Sequence, residues 1–135
     1  MARYLKTVAA ITLAGLAGCG IDVTAPDMVG DWGGEHISLT LSLTGGTVEY
    51  DCAHGTIDAP IVPGNDGNFS TSGVHVREHG GPIREDEVPD EHPAVYSGWT
   101  NGNRMTLTVV LSDSGAELGP YELRIGEQPQ LYKCL

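Results

Sequence analysis

The chain has no uninterrupted apolar run of the roughly 20 residues that a membrane-spanning helix needs. Basic side chains are scarce, since Lys and Arg total 7 against 18 Asp and Glu, which gives a formal charge of −11. Such a surface repels phosphate backbones and excludes nucleic acid as an expected partner. The chain also lacks the glycine patterns of nucleophile elbows, phosphate loops and dinucleotide-binding turns. These absences predict a protein that is not an enzyme and that uses no cofactor.

The length and composition of the chain favour one small domain built from strands and turns. A chain of 135 residues has room for a single hydrophobic core. Glycine occurs 19 times, and Thr, Ser and Val are common, whereas helix-forming residues are sparse. This composition is typical of an all-β protein with tight turns.

The first eighteen residues have the organisation of an export signal. Arg3 and Lys6 precede a short, uncharged, mostly apolar run that is too short to span a membrane. The segment that follows, Leu16-Ala17-Gly18-Cys19, resembles the lipobox of bacterial lipoproteins. The resemblance implies a signal-peptide helix over residues 1–18, cleavage before Cys19, and diacylglycerol on its thiol. It therefore predicts a membrane partner reached through a lipid anchor at Cys19.

The same resemblance predicts the location and the domain boundaries. Gly20, rather than Asp, follows the modified cysteine, which by analogy with Gram-negative lipoproteins indicates the outer membrane of the cell envelope. Residues 19–29 form a lipidated tether, and residues 30–135 form the folded domain. Loss of Arg3 and Lys6 with the signal leaves five basic residues against eighteen acidic ones. That charge keeps the domain away from anionic lipid.

The three cysteines are an odd number for an exported protein. With Cys19 assigned to lipid, Cys52 and Cys134 remain as an even pair in an oxidising compartment. We predict that these two form a disulfide. A Cys/His metal site is the alternative, although the spacing matches no common zinc pattern.

Alternating apolar and polar residues predict a series of short strands. The clearest example places Ile37, Leu39, Leu41 and Leu43 on one face of a strand. Seven strands are predicted, over residues 35–43, 47–57, 69–79, 94–100, 104–111, 117–125 and 130–134. Their short spacing favours an antiparallel meander that closes into a barrel of seven or eight strands. A β-sandwich is the alternative.

Gly30-Asp31-Trp32 opens the first strand and resembles the Gly-x-Trp motif of lipocalins and related calycin barrels. The resemblance implies that Trp32 closes one end of the barrel. It also implies that an arginine from a late strand, here Arg124, packs on the indole through a cation–π contact. In such proteins the barrel holds a small apolar ligand.

Five histidines raise the question of a metal site. His75 and His79 share a face of a predicted strand, but about 13 Å separates them unless Gly80-Gly81 bends the chain. His54 lies on the neighbouring predicted strand and completes a candidate set. Surface histidines without a metal are the simpler interpretation. The acidic segment 85–91 lacks the residue order of an EF-hand and is interpreted as a solvated loop.

These observations leave three functional hypotheses for an envelope-anchored protein. The inward rows of Ile, Leu, Met and Val are expected to fill the barrel, which favours a non-enzymatic module that binds another protein. The alternative is a lipocalin-like binder of a small apolar ligand, which requires a hollow of about 300 Å³ or more. A metal-binding envelope protein is the third.

Overall fold

The computed structural model describes residues 28–135 and confirms an all-β fold. The predicted signal helix, Cys19 and most of the tether lie outside the described residues. Eight antiparallel strands close into a barrel, so the sandwich alternative is wrong. The strands are β1 Gly30–Gly34, β2 Ile37–Leu41, β3 Gly46–Tyr50, β4 Ala53–Ile57, β5 Asn68–Arg77, β6 Asp90–Thr100, β7 Arg104–Leu111 and β8 Glu117–Ile125. No helix within this range is long and apolar enough to cross a membrane.

The barrel is an up-and-down meander in which each strand pairs with the next one along the chain. Closure is made by β1 and β8, where Trp32 lies opposite Ile125 and Gly34 lies opposite Leu123. A closed sheet has no unpaired edge on which another chain could add a strand. The meander and its closure therefore agree with the sequence prediction.

Two of the predicted strands were wrong in detail. Residues 47–57 form two strands, β3 and β4, because the chain turns at Asp51 and Cys52. The turn changes which residue numbers face the barrel interior. In β3 the even-numbered residues, such as Tyr50, face inward, whereas in β4 the odd-numbered residues, such as Ala53, do so. The first predicted strand, over residues 35–43, corresponds to β2, and β1 is a separate strand that precedes it across a turn at residues 35–36.

The C-terminal segment, predicted as a strand over residues 130–134, lies outside the sheet. It makes one isolated parallel bridge, between Glu35 and Gln130, and then crosses one end of the barrel. The His36 amide donates to the Gln130 carbonyl at 2.8 Å, and the Cys134 amide donates to the Asp51 carbonyl at 3.3 Å. The Gln130 amide also donates to the Gly34 carbonyl at 3.0 Å, so the segment is held by the end of β1 and by turn backbone without forming a strand of the sheet.

The barrel interior is largely filled by its inward rows. Along most strands, alternation places every second side chain inside the barrel, where apolar residues from opposite walls meet. The most deeply buried large side chains are Trp32, Tyr96, Ile37, Leu39, Met105, Leu107, Leu111, Leu123, Val48 and Val109. The middle of the barrel is therefore a packed core.

The two ends of the barrel differ. At one end, which carries the β2–β3 and β6–β7 turns and the β4–β5 loop, Met28 and Ile61 are buried and the indole of Trp32 donates to the Met28 carbonyl at 3.2 Å. The β6–β7 turn there needs Gly102, whose φ of 93° is in the left-handed region. We call the other end the open end; it carries the β1–β2, β3–β4 and β7–β8 turns and the long β5–β6 loop.

Candidate functional site

A cavity of about 350 Å³ lies at the open end of the barrel. Its inner wall consists of Tyr50, Ala53, His75, Leu118 and Tyr121. These residues occupy inward positions of β3, β4, β5 and β8 near the turns, above the filled core. The sequence prediction that inward residues fill the barrel is therefore correct for its middle but not for this end.

The outer rim of the cavity is polar. It consists of His36, Asp51, Cys52, Arg77 and Glu78. The rim comes from the β1–β2 turn, the β3–β4 turn and the end of β5, which strand closure brings side by side. An apolar interior with a polar entrance is the usual composition of a small-molecule site.

Two polar atoms of the inner wall have no hydrogen-bond partner within residues 28–135. They are the Tyr50 hydroxyl and His75 Nδ1, on side chains that are 4% and 3% exposed. Their rings meet edge to face, with centroids 5.1 Å apart. Burial of an unpaired polar group costs about 1–3 kcal/mol, so a rearrangement that gave these atoms partners would recover that cost.

Burial sets the charge of both groups. Desolvation, with a contribution from Tyr96 and Tyr121, raises the pKa of Tyr50 far above its usual range. Desolvation also lowers the pKa of His75 from 6.5, and the nearby cations Arg77, His92 and His54 lower it further. At neutral pH both groups are therefore uncharged, and both can donate a hydrogen bond.

The turn residue His36 has a φ of 67°, an uncommon value for a residue other than glycine. Its Nδ1 lies 2.6 Å from Asp51 Oδ2, and its ring lies 5.8 Å from that of Tyr132. The backbone amide of Tyr132 donates to Asp51 Oδ1 at 2.8 Å, and this bond, followed by the contact with His36, lowers the pKa of Asp51. The strained turn thus joins the rim to the C-terminal segment.

Lys133 joins the same segment to the next part of the rim. Its ammonium lies 2.8 Å from Glu49 Oε2 and 3.1 Å from Glu78 Oε2. His54 Nδ1 lies 2.8 Å from the other oxygen of Glu78. Partial burial alone would raise the pKa of Glu78, but the hydrogen bonds from His54 and Lys133 lower it.

The predicted disulfide between Cys52 and Cys134 is confirmed, with the two Cα atoms 5.1 Å apart. It ties the C-terminal segment to the β3–β4 turn, rather than joining two strands. Cys52 itself lines the rim. The disulfide therefore stabilises the entrance of the cavity.

The candidate metal ligands do not converge. His75 is inside the barrel, whereas His54 lies on the outer face of β4 and pairs with Glu78. His79 contacts the Glu87 carboxylate and, at 2.9 Å, the Gly80 carbonyl. Among residues 28–135, no group of three or more His, Cys, Asp or Glu side chains is placed to hold a metal ion.

Trp32 and Arg124 also lie apart. Trp32 is 1% exposed and faces the interior, whereas Arg124 lies opposite Gly33 on the outer face. The Arg124 guanidinium is 3.8 Å from the Glu127 carboxylate. The stacking implied by the lipocalin resemblance is therefore not formed, because the residues belong to opposite faces of the sheet.

His92, at the start of β6, links two parts of the open end. Its ring nitrogens lie 2.6 Å from Asp113 Oδ2, in the β7–β8 turn, and 2.9 Å from Asp90 Oδ1. The hydrogen bond with Asp113 is the main cause that raises the pKa of His92 above 6.5, and the same contact lowers the pKa of Asp113 below 3.8. Between pH 3.8 and pH 6.5, His92 is therefore protonated and Asp113 is deprotonated, so the two side chains form an ion pair.

This pair predicts a decline in stability on the alkaline side. A histidine with a raised pKa in the folded state contributes stability below its unfolded value of 6.5, and the contribution is lost as the pH rises through the folded pKa. We expect His92→Gln to remove that part of the decline, as measured by melting temperature between about pH 6 and about pH 8. Asp113→Asn should have the same effect. Equal pH profiles for wild type and both variants would contradict the assignment.

Comparison with known proteins finds no matching protein family, no similar curated protein and no similar solved structure. The site is therefore interpreted from its own geometry. A small closed barrel with a cavity at one end is compatible with a lipocalin-like binder. Sequence reasoning did not single out Tyr50 or Arg77 as site residues. Their inward phase near a turn was the available signal.

Proposed function

We propose that this protein is a non-enzymatic binder that holds a small molecule in the cavity at the open end of its barrel. The observation that carries the proposal is the cavity itself, about 350 Å³ in volume, with an inner wall of Tyr50, Ala53, Leu118 and Tyr121 below a polar rim. A cavity that only reflects imperfect packing is expected to be apolar. Here the rim carries charged side chains, and the buried polar atoms of Tyr50 and His75 beside the cavity have no hydrogen-bond partner in residues 28–135.

The size and composition of the cavity support the same function. Its volume of about 350 Å³ lies at the lower end of the range for small-molecule sites, about 300–1,000 Å³. Tyr50, Tyr121 and Leu118 supply apolar surface, while the rim supplies charge. This arrangement reverses the ranking of the sequence hypotheses, because a filled barrel was the main argument for a protein-interaction module.

The binding hypothesis is tested by native mass spectrometry of the mature chain, extracted from cells in mild detergent. We expect a mass increase that corresponds to one small organic molecule. Leu118→Trp should abolish the increase, because the indole would occupy the cavity that Leu118 lines. Val95→Trp is the matched control, since Val95 is exposed on the outer face of β6.

The outcomes separate the hypotheses. Loss of the added mass in Leu118→Trp, with retention in Val95→Trp, supports binding in the cavity. An added mass that both variants keep would contradict the proposed site. A bare wild-type mass would contradict the proposal and favour a protein partner.

A protein-interaction role is the second candidate, and one observation favours it. Ile83 and Val88 in the β5–β6 loop are 79% and 85% exposed, and Tyr132 on the C-terminal segment is 66% exposed. These apolar side chains all belong to the open end. Exposed aromatic and aliphatic groups of this kind are typical anchors for a partner.

We also propose that the domain works at the surface of a membrane in the bacterial cell envelope, held by lipid at Cys19. The lipobox resemblance and the paired Cys52 and Cys134 support this location, since disulfides persist in oxidising compartments. The outer membrane is the proposed membrane, on the basis of Gly20.

A further inference from the structure

Arg77 lies at the entrance of the cavity, on the inward row of β5. Gly73 and His75, which precede it on that row, are buried, and Arg77 itself lies opposite the cavity residue Ala53. In the described part of the chain, no carboxylate forms an ion pair with its guanidinium, in contrast to Arg124 with Glu127 and Lys133 with Glu49. Although Asp90 lies opposite Arg77 on β6, the guanidinium at the cavity entrance therefore makes no direct ion pair in residues 28–135.

The two acidic residues of the rim already have partners. Asp51 is bound by His36 and by the Tyr132 amide. Glu78 is bound by His54 at 2.8 Å and by Lys133 at 3.1 Å. Each carboxylate thus has donors of its own. The group on the rim that remains for a ligand is the guanidinium, whose planar fork matches a carboxylate.

Deeper in the same cavity, two buried polar atoms add to the polar character of the wall. The Tyr96 hydroxyl donates to the Val74 carbonyl at 2.8 Å, and its interaction with the Tyr50 hydroxyl contributes to the raised pKa of Tyr50. The Tyr50 hydroxyl and His75 Nδ1 have no direct hydrogen-bond partner in residues 28–135. Arg77 is therefore the charged donor of the site, and a small movement of the wall would bring these two polar atoms to a ligand.

The walls and the volume indicate the body of that molecule. The aromatic rings of Tyr50 and Tyr121 lie 5.7 Å apart, and Leu118 and Ala53 complete an apolar lining. The volume of about 350 Å³ is near the lower limit for a small-molecule site. This space suits one or two fused rings better than a long acyl chain.

We propose that the cavity takes a small aromatic carboxylate, with its carboxylate at Arg77 and its ring beside Tyr50, Tyr121 and Leu118. The inference rests on the proposed binding function and names its ligand class. The net negative charge of the chain makes the local role of Arg77 more important, because the remaining surface repels anions.

The test compares an aromatic acid with its neutral isostere. Indole-3-acetate, indole-3-acetamide and octanoate are titrated into the mature chain in mild detergent and followed by isothermal calorimetry. We expect the aromatic acid to bind about ten-fold or more tightly than the amide, the usual effect of a charge-assisted hydrogen bond. Octanoate should bind weakly, because it lacks the ring.

Two arginine variants isolate the charge. Arg77→Gln should weaken binding of indole-3-acetate about ten-fold and leave the amide unchanged. Arg104→Gln is the matched control, because Arg104 is exposed on β7 and lies outside the lining of this cavity. Both residues are exposed, and equal melting temperatures would show that neither variant disturbs the fold.

The results distinguish failure of the ligand class from failure of the binding function. If the acid and the amide bind equally and Arg77→Gln changes neither affinity, the proposed contact between Arg77 and a carboxylate is wrong. If Leu118→Trp nevertheless abolishes binding of both probes, the proposed binding function still holds. Tighter binding of octanoate would overturn the aromatic class. If none of the probes binds and the purified protein carries no added mass, both the ligand class and the binding function are wrong.

Discussion

The double variant Cys52→Ala, Cys134→Ala is expected to lower the free energy of unfolding by about 4 kcal/mol. The disulfide joins residues 82 positions apart, and the cost of closing so long a loop in the unfolded chain is correspondingly large. For a domain of this size, the loss corresponds to a fall in melting temperature of about 15 °C. The measurement is a thermal scan of wild type and variant under oxidising conditions.

Reducing agent provides the control for this prediction. It should lower the melting temperature of wild type toward that of the double variant and leave the double variant unchanged. We also expect the C-terminal segment to loosen, since Cys134 and its neighbours hold that segment against the β3–β4 turn. Equal melting temperatures of wild type with and without reductant would show that the disulfide does not stabilise the fold.

The variant Cys19→Ser is expected to move the protein from the membrane fraction to the soluble fraction. A single acyl chain gives marginal membrane affinity, whereas several chains hold a protein durably, so loss of the lipid-bearing thiol removes nearly all of the attachment. The measurement is fractionation of cells that express wild type or variant, with detection by immunoblot.

The double variant at Cys52 and Cys134 is the matched control for the anchor, because it removes two thiols but keeps Cys19. It should remain with membranes. A Cys19→Ser chain that still sediments with membranes, with its first eighteen residues uncut, would show that the lipobox interpretation is wrong.

Local patterns predicted much of the barrel. The alternation in β7 predicted the bounds 104–111 that the structure has, because this strand buries every second residue against the core. The predicted bounds of β8, 117–125, are also correct, although an irregularity in its pairing with β7 interrupts the alternation and leaves Leu123 as its buried residue. The turn at residues 101–103 was also visible, since asparagine and glycine there favour a hairpin turn. Strand phase and turn chemistry are properties of neighbouring residues, which a single sequence displays.

Features that depend on distant residues were harder to predict. The turn at Asp51 and Cys52 lacks glycine and proline, so the shift in phase between Tyr50 and Ala53 was its main signal. The C-terminal segment was taken for a strand, because its sequence does not show that the barrel has already closed between β1 and β8. Closure is a property of the whole sheet.

The cavity was the feature of the site that the sequence showed least. Tyr50 and His75 are inward residues that could equally have completed the core, and only the packed arrangement shows that their polar atoms stay unpartnered beside an open volume. The disulfide cysteines were found from their number and compartment. Arg77 was not identified as a site residue, because its proposed role depends on a guanidinium that makes no ion pair. That property depends on where the folded chain places each nearby acidic side chain.

The most direct test of the central claim is a high-resolution crystal structure of the mature protein purified without stripping bound molecules. The account predicts electron density for an organic molecule in the open-end cavity, within hydrogen-bonding distance of Tyr50 or His75 and with an acidic group at Arg77. Density for ordered water alone, or a Tyr121 side chain that fills the space, would contradict the claim that this barrel is a small-molecule binder.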